Sequence, residues 1–180
     1  MRLRLPGEIR CWADEEIAAY ESFHPIGTPA RLAFALALYT AQRASDLVRM
    51  GRQHIRNGAI DVRQQKTGAV LSIPIHPALA VILDATPSKH MTLITTERGA
   101  PYSSPNSFSH QITRWAKQAG VDGVSVHGLR KAGCRRLAEA GCTAHEIMSI
   151  SGHKSLKEVE RYTKAVTQRT KAVKAMARVK

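Results

Sequence analysis

His127 and Arg130 stand three residues apart in Val126-His127-Gly128-Leu129-Arg130, a spacing that sets both on one face at the start of a helix. Gly152-His153 follows an expected helix end, and Tyr162 comes nine residues after His153, in the second turn of the helix expected to open at Ser155. Arg43 lies at the end of an apolar helical run, in Thr40-Ala41-Gln42-Arg43-Ala44-Ser45-Asp46-Leu47, and Lys66 occupies the turn Lys66-Thr67-Gly68. Guanidinium forks match phosphate oxygens, and imidazoles exchange protons near neutral pH. A lysine at a hairpin tip reaches into a groove, and a tyrosine is a nucleophile whose product with a phosphodiester is a phosphate ester. No cluster of carboxylates at metal-ligand spacing accompanies these groups, and no G-x-x-x-x-G-K-[ST] loop is present to cradle a nucleotide. Taken singly, each has a plainer role. Tyr162 follows Val159 and Leu156 at core spacing, His153 could close a helix, Arg43 could offset a helix dipole, and Lys66 could be a solvated turn residue.

The elements that must position these groups are mostly helical. Asp14-Glu15-Glu16 places acids at a helix start, and Thr28-Pro29 pairs an N-cap with proline at the first helical position. The run Leu32 to Leu38 is apolar on nearly every face, which predicts a central buried helix. A short helix opens at Ser45-Asp46. The period then changes: His54-Ile55-Arg56, the turn Asn57-Gly58 and Ala59 to Val62 predict a hairpin, and Ala69 to Ile75 a third strand, placed at an edge by Pro74. Helices are predicted over 77–85 and near 104–119, 129–140, 144–151, 156–163 and 167–179, with capping boxes at Thr143-x-x-Glu146 and Ser155-x-x-Glu158. The fold class is α+β, mainly α-helical with a small three-stranded antiparallel sheet, in one domain.

The composition points to a polyanionic partner. Lys and Arg number 27 against 14 Asp and Glu, a formal net charge of +13. The excess is lopsided, with fifteen Lys and Arg against five Asp and Glu between His110 and Lys180. Cys11, Cys134 and Cys142 form an odd set without a C-x-x-C pair, as expected of buried thiols in a reducing compartment. Cys142 and His145, at helical spacing, make only a weak zinc signal. The segment Met1 to Pro6 lacks an apolar signal core, and the longest apolar run is too short to span a bilayer. A cytoplasmic location is expected.

The joint order of Arg43 with Ser45-Asp46-Leu47, Lys66 in a β-turn, His127-x-x-Arg130, Gly152-His153 and Tyr162 resembles the tyrosine recombinase (phage integrase) family, from about Thr28 to Lys164. Departures are small: Ala41-Gln42 precedes the arginine where glycine and an apolar residue are common, and Asp46 stands where glutamate is common. The resemblance implies site-specific recombination of double-stranded DNA through a 3′-phosphotyrosine link, without metal, ATP or other cofactor. It implies Arg43, Arg130 and His153 around the phosphate, Tyr162 as nucleophile, His127 as base and Lys66 as acid to the leaving 5′-oxygen. It further implies a nucleoid-associated enzyme whose separate N-terminal DNA-binding domain is absent from residues 1–180, and which self-associates on DNA through a docking helix over 167–180. Val166, Val173 and Met176 would form an apolar strip along it, flanked by Lys171, Lys174, Arg178 and Lys180, and the alternative is a helix folded back on its own domain. A type IB topoisomerase shares the same logic of side chains. A catalytically inactive DNA-binding module and a carboxylate-dependent nuclease rank below it, since the catalytic groups are present and the acids are scattered.

Overall fold

A computed structural model of the chain describes residues 9–86, 90–177 and 179. Helix α1 spans Asp14–Phe23, and the Glu16 carboxylate turns back to accept from the Ala13 amide at 2.8 Å. Helix α2, Pro29–Thr40, starts where the Thr28 hydroxyl accepts from the Arg31 amide, and its residues from Leu32 to Leu38 are all buried. This is the central helix that the unbroken apolar run demands. Around its first turns Trp12, Tyr20 and Phe34 pack ring against ring, with Tyr20 stacked on Phe34 at 4.3 Å.

Helix α2 stops one residue before Ala41, whose backbone is left-handed (φ 50°). Arg43 is therefore not the last residue of the buried helix. It is the N-cap of the short helix α3, Ala44–Leu47. A 3₁₀ turn (Arg52–His54) leads into a three-stranded antiparallel sheet: β1 (Ile55–Arg56), β2 (Ala59–Arg63) and β3 (Val70–Pro74), in that spatial order. Asn57 and Gly58 both have positive φ (49° and 74°), the geometry of a tight hairpin turn between twisted strands. Pro74 lies on the edge strand β3, paired with Ala59.

Helix α4 (Pro77–Ala85) packs against α2, and α5 (Pro105–Gln118) is capped by Ser104. Helix α6 (Val126–Glu139) begins at the Ser125 cap and crosses close to α2, because Gly133 leaves no side chain between its backbone and the Leu38 carbonyl. Helix α7 (Ala144–Ser151) carries the full Thr143–Glu146 capping box. Helix α8 (Leu156–Met176) is one continuous helix, where the sequence suggested two. At its start the Glu158 amide bonds the Ser155 backbone carbonyl, and no side-chain cap from Ser155 forms among the described residues.

Two apolar clusters result. The larger surrounds α2. The smaller joins Ala41, Cys134, Ala138, Ile147 and Val159, with Tyr162 and Val166 packed on its rim. The apolar strip expected along the C-terminal helix is thus divided: Val166 belongs to this cluster, whereas Val173 and Met176 are exposed. Arg178, Lys180 and Met1 to Pro6 lie outside the described residues. No helix among the described residues is long and apolar enough to cross a membrane.

Candidate active site

Arg130 is the keystone of the site. It is 1% exposed, among the largest fully buried side chains, and reaches from the second turn of α6 to the end of α2. Its Nη1 donates to the Ala41 carbonyl at 2.5 Å, a group left without a helical partner where α2 ends. The dipole of α2 is therefore answered by Arg130, not by Arg43. The other nitrogen, Nη2, faces Nε2 of His153 at 3.2 Å. Burial, and then the neighbouring Arg43, lower the Arg130 pKa to about 10, so the guanidinium stays charged at neutral pH.

His153 follows Gly152, the left-handed C-cap of α7 (φ 66°). The Ser151 hydroxyl donates to the Ile147 carbonyl at 2.7 Å, so its lone pairs face His153 Nδ1, also at 2.7 Å. The histidine must then hold its proton on Nδ1 and leave Nε2 bare to accept from Arg130. Burial, followed by the charges of Arg130 and Arg43, lowers the His153 pKa to about 4, in keeping with a neutral ring.

His127 stands at the mouth of this corner, in the first turn of α6. Desolvation by the surrounding protein, and then Arg130, Lys131, Arg43 and Lys66, hold its pKa below the ordinary histidine value. Lys66 is exposed at the tip of the β2–β3 turn, which is closed by the Gly68 amide on the Gln64 carbonyl (2.9 Å) and the Gln64 amide on the Ala69 carbonyl (2.9 Å). Tyr162 is half-buried in the second turn of α8, and its hydroxyl makes no hydrogen bond among the described residues. Burial raises its pKa above the ordinary tyrosine value, and the opposing field of Arg130 does not overcome it. The phenol is protonated in the free protein and needs a base to become a nucleophile.

Arg43, Lys66, His127, Arg130, His153 and Tyr162 are thus drawn to one corner, close enough for their charges to act on one another, where α2, α3, α6, the β2–β3 turn, the end of α7 and the start of α8 meet. Three of them, Arg43, Lys66 and Arg130, form no ion pair with a carboxylate among the described residues, whereas Arg10, Arg31, Arg114, Arg135 and Lys164 all do. Among the described residues Asp46, buried nearby, is the one carboxylate whose charge is felt by Arg130, and it makes no ion pair, so the cations keep their charge available to an anion. A cleft of about 410 Å³ lined by Phe23, His24, Glu97 and Trp115 shares none of these residues. Among the described residues no group of three or more His, Cys, Asp or Glu is arranged to hold a metal ion.

Sequence reasoning assigned no role in this corner to Gln42, Gln64 or Asp46. Gln42 and Gln64 are buried, as is Asp46, whose Oδ1 accepts from the Gln65 amide at 2.9 Å and ties α3 to the Lys66 turn. One signal was available: Ile60, Val62 and Gln64 share the inward phase of β2, so a glutamine stands where alternation calls for an apolar residue.

Fold and site together define a class of protein, and comparison with known sequences agrees: the chain belongs to the phage integrase family, whose pattern matches residues 14–169. Among its relatives is the integrase of Escherichia phage HK022, 32% identical over 166 residues, which cover 85% of this chain and 46% of that protein. The integrase of Escherichia phage lambda is 32% identical over 159 residues, covering 81% and 44%. A solved lambda integrase dimer bound to a COC′ core site superposes with a TM-score of 0.71 at 29% identity, over 86% of this chain and 47% of that one. The chain spans about half the length of these curated relatives.

Proposed function

We propose that residues 14–176 form one catalytic domain that performs site-specific DNA recombination, with Tyr162 making a covalent 3′-phosphotyrosyl intermediate. The observation that carries the reading is the corner of unpaired cations, Arg43, Arg130 and Lys66, beside His127, His153 and a tyrosine held protonated by burial. Arg43 and Arg130 hold the non-bridging oxygens of the scissile phosphate while Tyr162 Oη attacks in line. His127, kept neutral, takes the phenolic proton as the P–O bond forms, and Lys66 gives a proton to the departing 5′-oxygen. To donate to the phosphate, His153 moves its proton to Nε2 or gains a second one, a change that an anion beside it favours. A 5′-hydroxyl of another strand reverses the step, so the bond energy is kept and no ATP is consumed.

Double-stranded DNA is the partner this reading requires, and a cytoplasmic, nucleoid-associated location goes with it. The lambda integrase structures that the chain resembles include a dimer on a core site and a tetramer on a Holliday junction, which supports action in an assembly of copies. The exposed Val173 and Met176 of α8 are the surface we assign to that contact.

The test is a pool of nicked duplexes randomised over their central base pairs and incubated with the chain in excess EDTA. Species in which DNA is covalently linked to protein are recovered on a denaturing gel and sequenced. We expect an adduct with the wild type and none with Tyr162→Phe, which still binds DNA. Adduct in that variant moves the nucleophile elsewhere, Tyr102 being the next candidate, and an absolute need for a divalent ion overturns the mechanism. Exchange between two selected duplexes, rather than plasmid relaxation alone, separates recombination from topoisomerase action.

A further inference from the structure

Gln64 is 1% exposed, yet every hydrogen-bonding valence of its amide is filled. Oε1 accepts from Arg43 Nη1 at 3.2 Å and from the Thr67 hydroxyl at 2.6 Å. Nε2 donates to Gln42 Oε1 at 2.6 Å and to the Ser151 carbonyl at 2.8 Å. The partners fix which end is oxygen, since a reversed amide would face the N–H of Arg43 and the carbonyl of Ser151 with like groups. Gln42 continues the chain of contacts, donating to the Thr40 carbonyl at 2.9 Å and the Ile150 carbonyl at 2.8 Å. Gly152 is part of the same device. A Cβ there would lie 2.5 Å from Gln64 Nε2, so glycine serves both the left-handed backbone (φ 66°) and the space for this amide.

Each contact ends on a segment that carries a reacting group. The backbone of Gln64 closes the turn that presents Lys66, and its side chain bonds Thr67 in that turn. It also bonds Arg43 itself, and the carbonyl of Ser151, whose hydroxyl orients His153. These segments are distant in sequence and share no other side chain that bonds all three among the described residues. We propose that Gln64 is a positioning residue, the joint that holds Arg43, the Lys66 turn and the His153 segment in one register. The inference rests on the phosphotyrosyl reading of the site for its kinetic consequences, but not for its structural ones. A buried amide could instead merely fill space, and the two roles differ in what they move.

Gln64→Met keeps length and volume and removes every side-chain bond; Thr67→Val removes the bond to Gln64 and the longer one from the Ala69 amide (3.4 Å), both within the Lys66 turn. On the duplex selected above, at saturating DNA, Gln64→Met is expected to form adduct roughly 10- to 100-fold more slowly, the scale of loss that a small misplacement of reacting groups produces. Its Kd for the duplex is expected to stay within about threefold of wild type, because charge and not register sets affinity. With sulfur as the bridging 5′-atom, Thr67→Val is expected to regain most of its loss and Gln64→Met only part, since the first disturbs Lys66 alone. In the DNA-free protein, the imidazole ¹⁵N signals of His153 are expected to show the Nδ1–H form in wild type and a tautomer mixture in Gln64→Met. A lower melting temperature with wild-type cleavage rate and wild-type His153 signals makes Gln64 a core filler and overturns the proposal. Should Gln64→Met not fold, an unchanged rate in Thr67→Val overturns it equally. If even the wild type yields no adduct, the reading of the reaction fails, and the His153 signals alone decide the role of Gln64.

Discussion

Lys66 is the group whose role depends most on its surroundings, because it is exposed on a turn and nothing in its own packing reveals a task. If it protonates the leaving oxygen, Lys66→Ala is expected to slow cleavage by a factor on the order of 10² to 10⁴. A sulfur leaving group needs no proton, so that substrate is expected to restore most of the Lys66→Ala rate and none of the Arg130→Ala rate. Equal impairment on both substrates makes Lys66 a phosphate contact instead. His153 carries a second expectation. Its pKa, about 4 when folded against 6.5 for a free histidine, means that between those values the unfolded chain binds a proton that the folded chain refuses. Its contribution to stability is therefore complete above pH 6.5 and declines as pH falls toward about 4. His127, also lowered, acts in the same sense. Melting temperatures across this window are expected to fall less steeply for His153→Gln than for wild type; an identical slope places the titration elsewhere.

Among the elements, α8 carries both Tyr162 and the exposed apolar end proposed as a contact between copies. Its second turn sets Tyr162 on the small cluster, and Val166 one turn later anchors the same face. Beyond that the helix offers Val173 (63% exposed) and Met176 (69% exposed) to solvent, which argues against a segment folded back on its own domain. Termination after Gln168 keeps Val166, and with it the seat of Tyr162. Adduct formation on one duplex is then expected to persist within about threefold, while exchange between two duplexes and association of copies fall sharply, since removing the exposed apolar end removes burial worth roughly 25 cal/mol per Å². Unaltered exchange shows the end of α8 to be dispensable.

At the scale of the whole molecule, the charge of +13 is divided between uses. Some basic residues are neutralised locally, as in the Arg135 pairs with Asp14 and Glu139 and the Arg10 pair with Glu16. Those of the site are not. Affinity for an arbitrary duplex is expected near typical non-specific values, about 10⁻⁴ to 10⁻⁶ M at physiological salt, falling steeply as salt rises because bound phosphates release counterions. Titrations at several salt concentrations check this. Arg43→Ala is expected to flatten the log–log slope by about one contact, and a slope insensitive to salt contradicts the electrostatic account.

Much of this architecture is local and was legible in the order of residues. Thr28-Pro29, Thr143-x-x-Glu146 and Asn57-Gly58 specify their own starts and turns, because the bonds that stabilise them lie within a few positions of chain. The apolar run of α2 could only be a buried helix, and the candidate site residues stood out by type and spacing. What lay beyond reach depended on groups far apart in sequence. The continuity of α8 comes from Val159, Tyr162 and Val166 packing together on α6 and α7, which carries the helix through a stretch with little helical signal of its own. The answer of Arg130 to the end of α2, the tautomer of His153 and the four bonds of Gln64 follow from which carbonyls and hydroxyls the fold leaves facing them. An uncharged amide has no chemistry to announce. Only when distant segments close around it does its geometry become a constraint, and that closure is the work of tertiary packing.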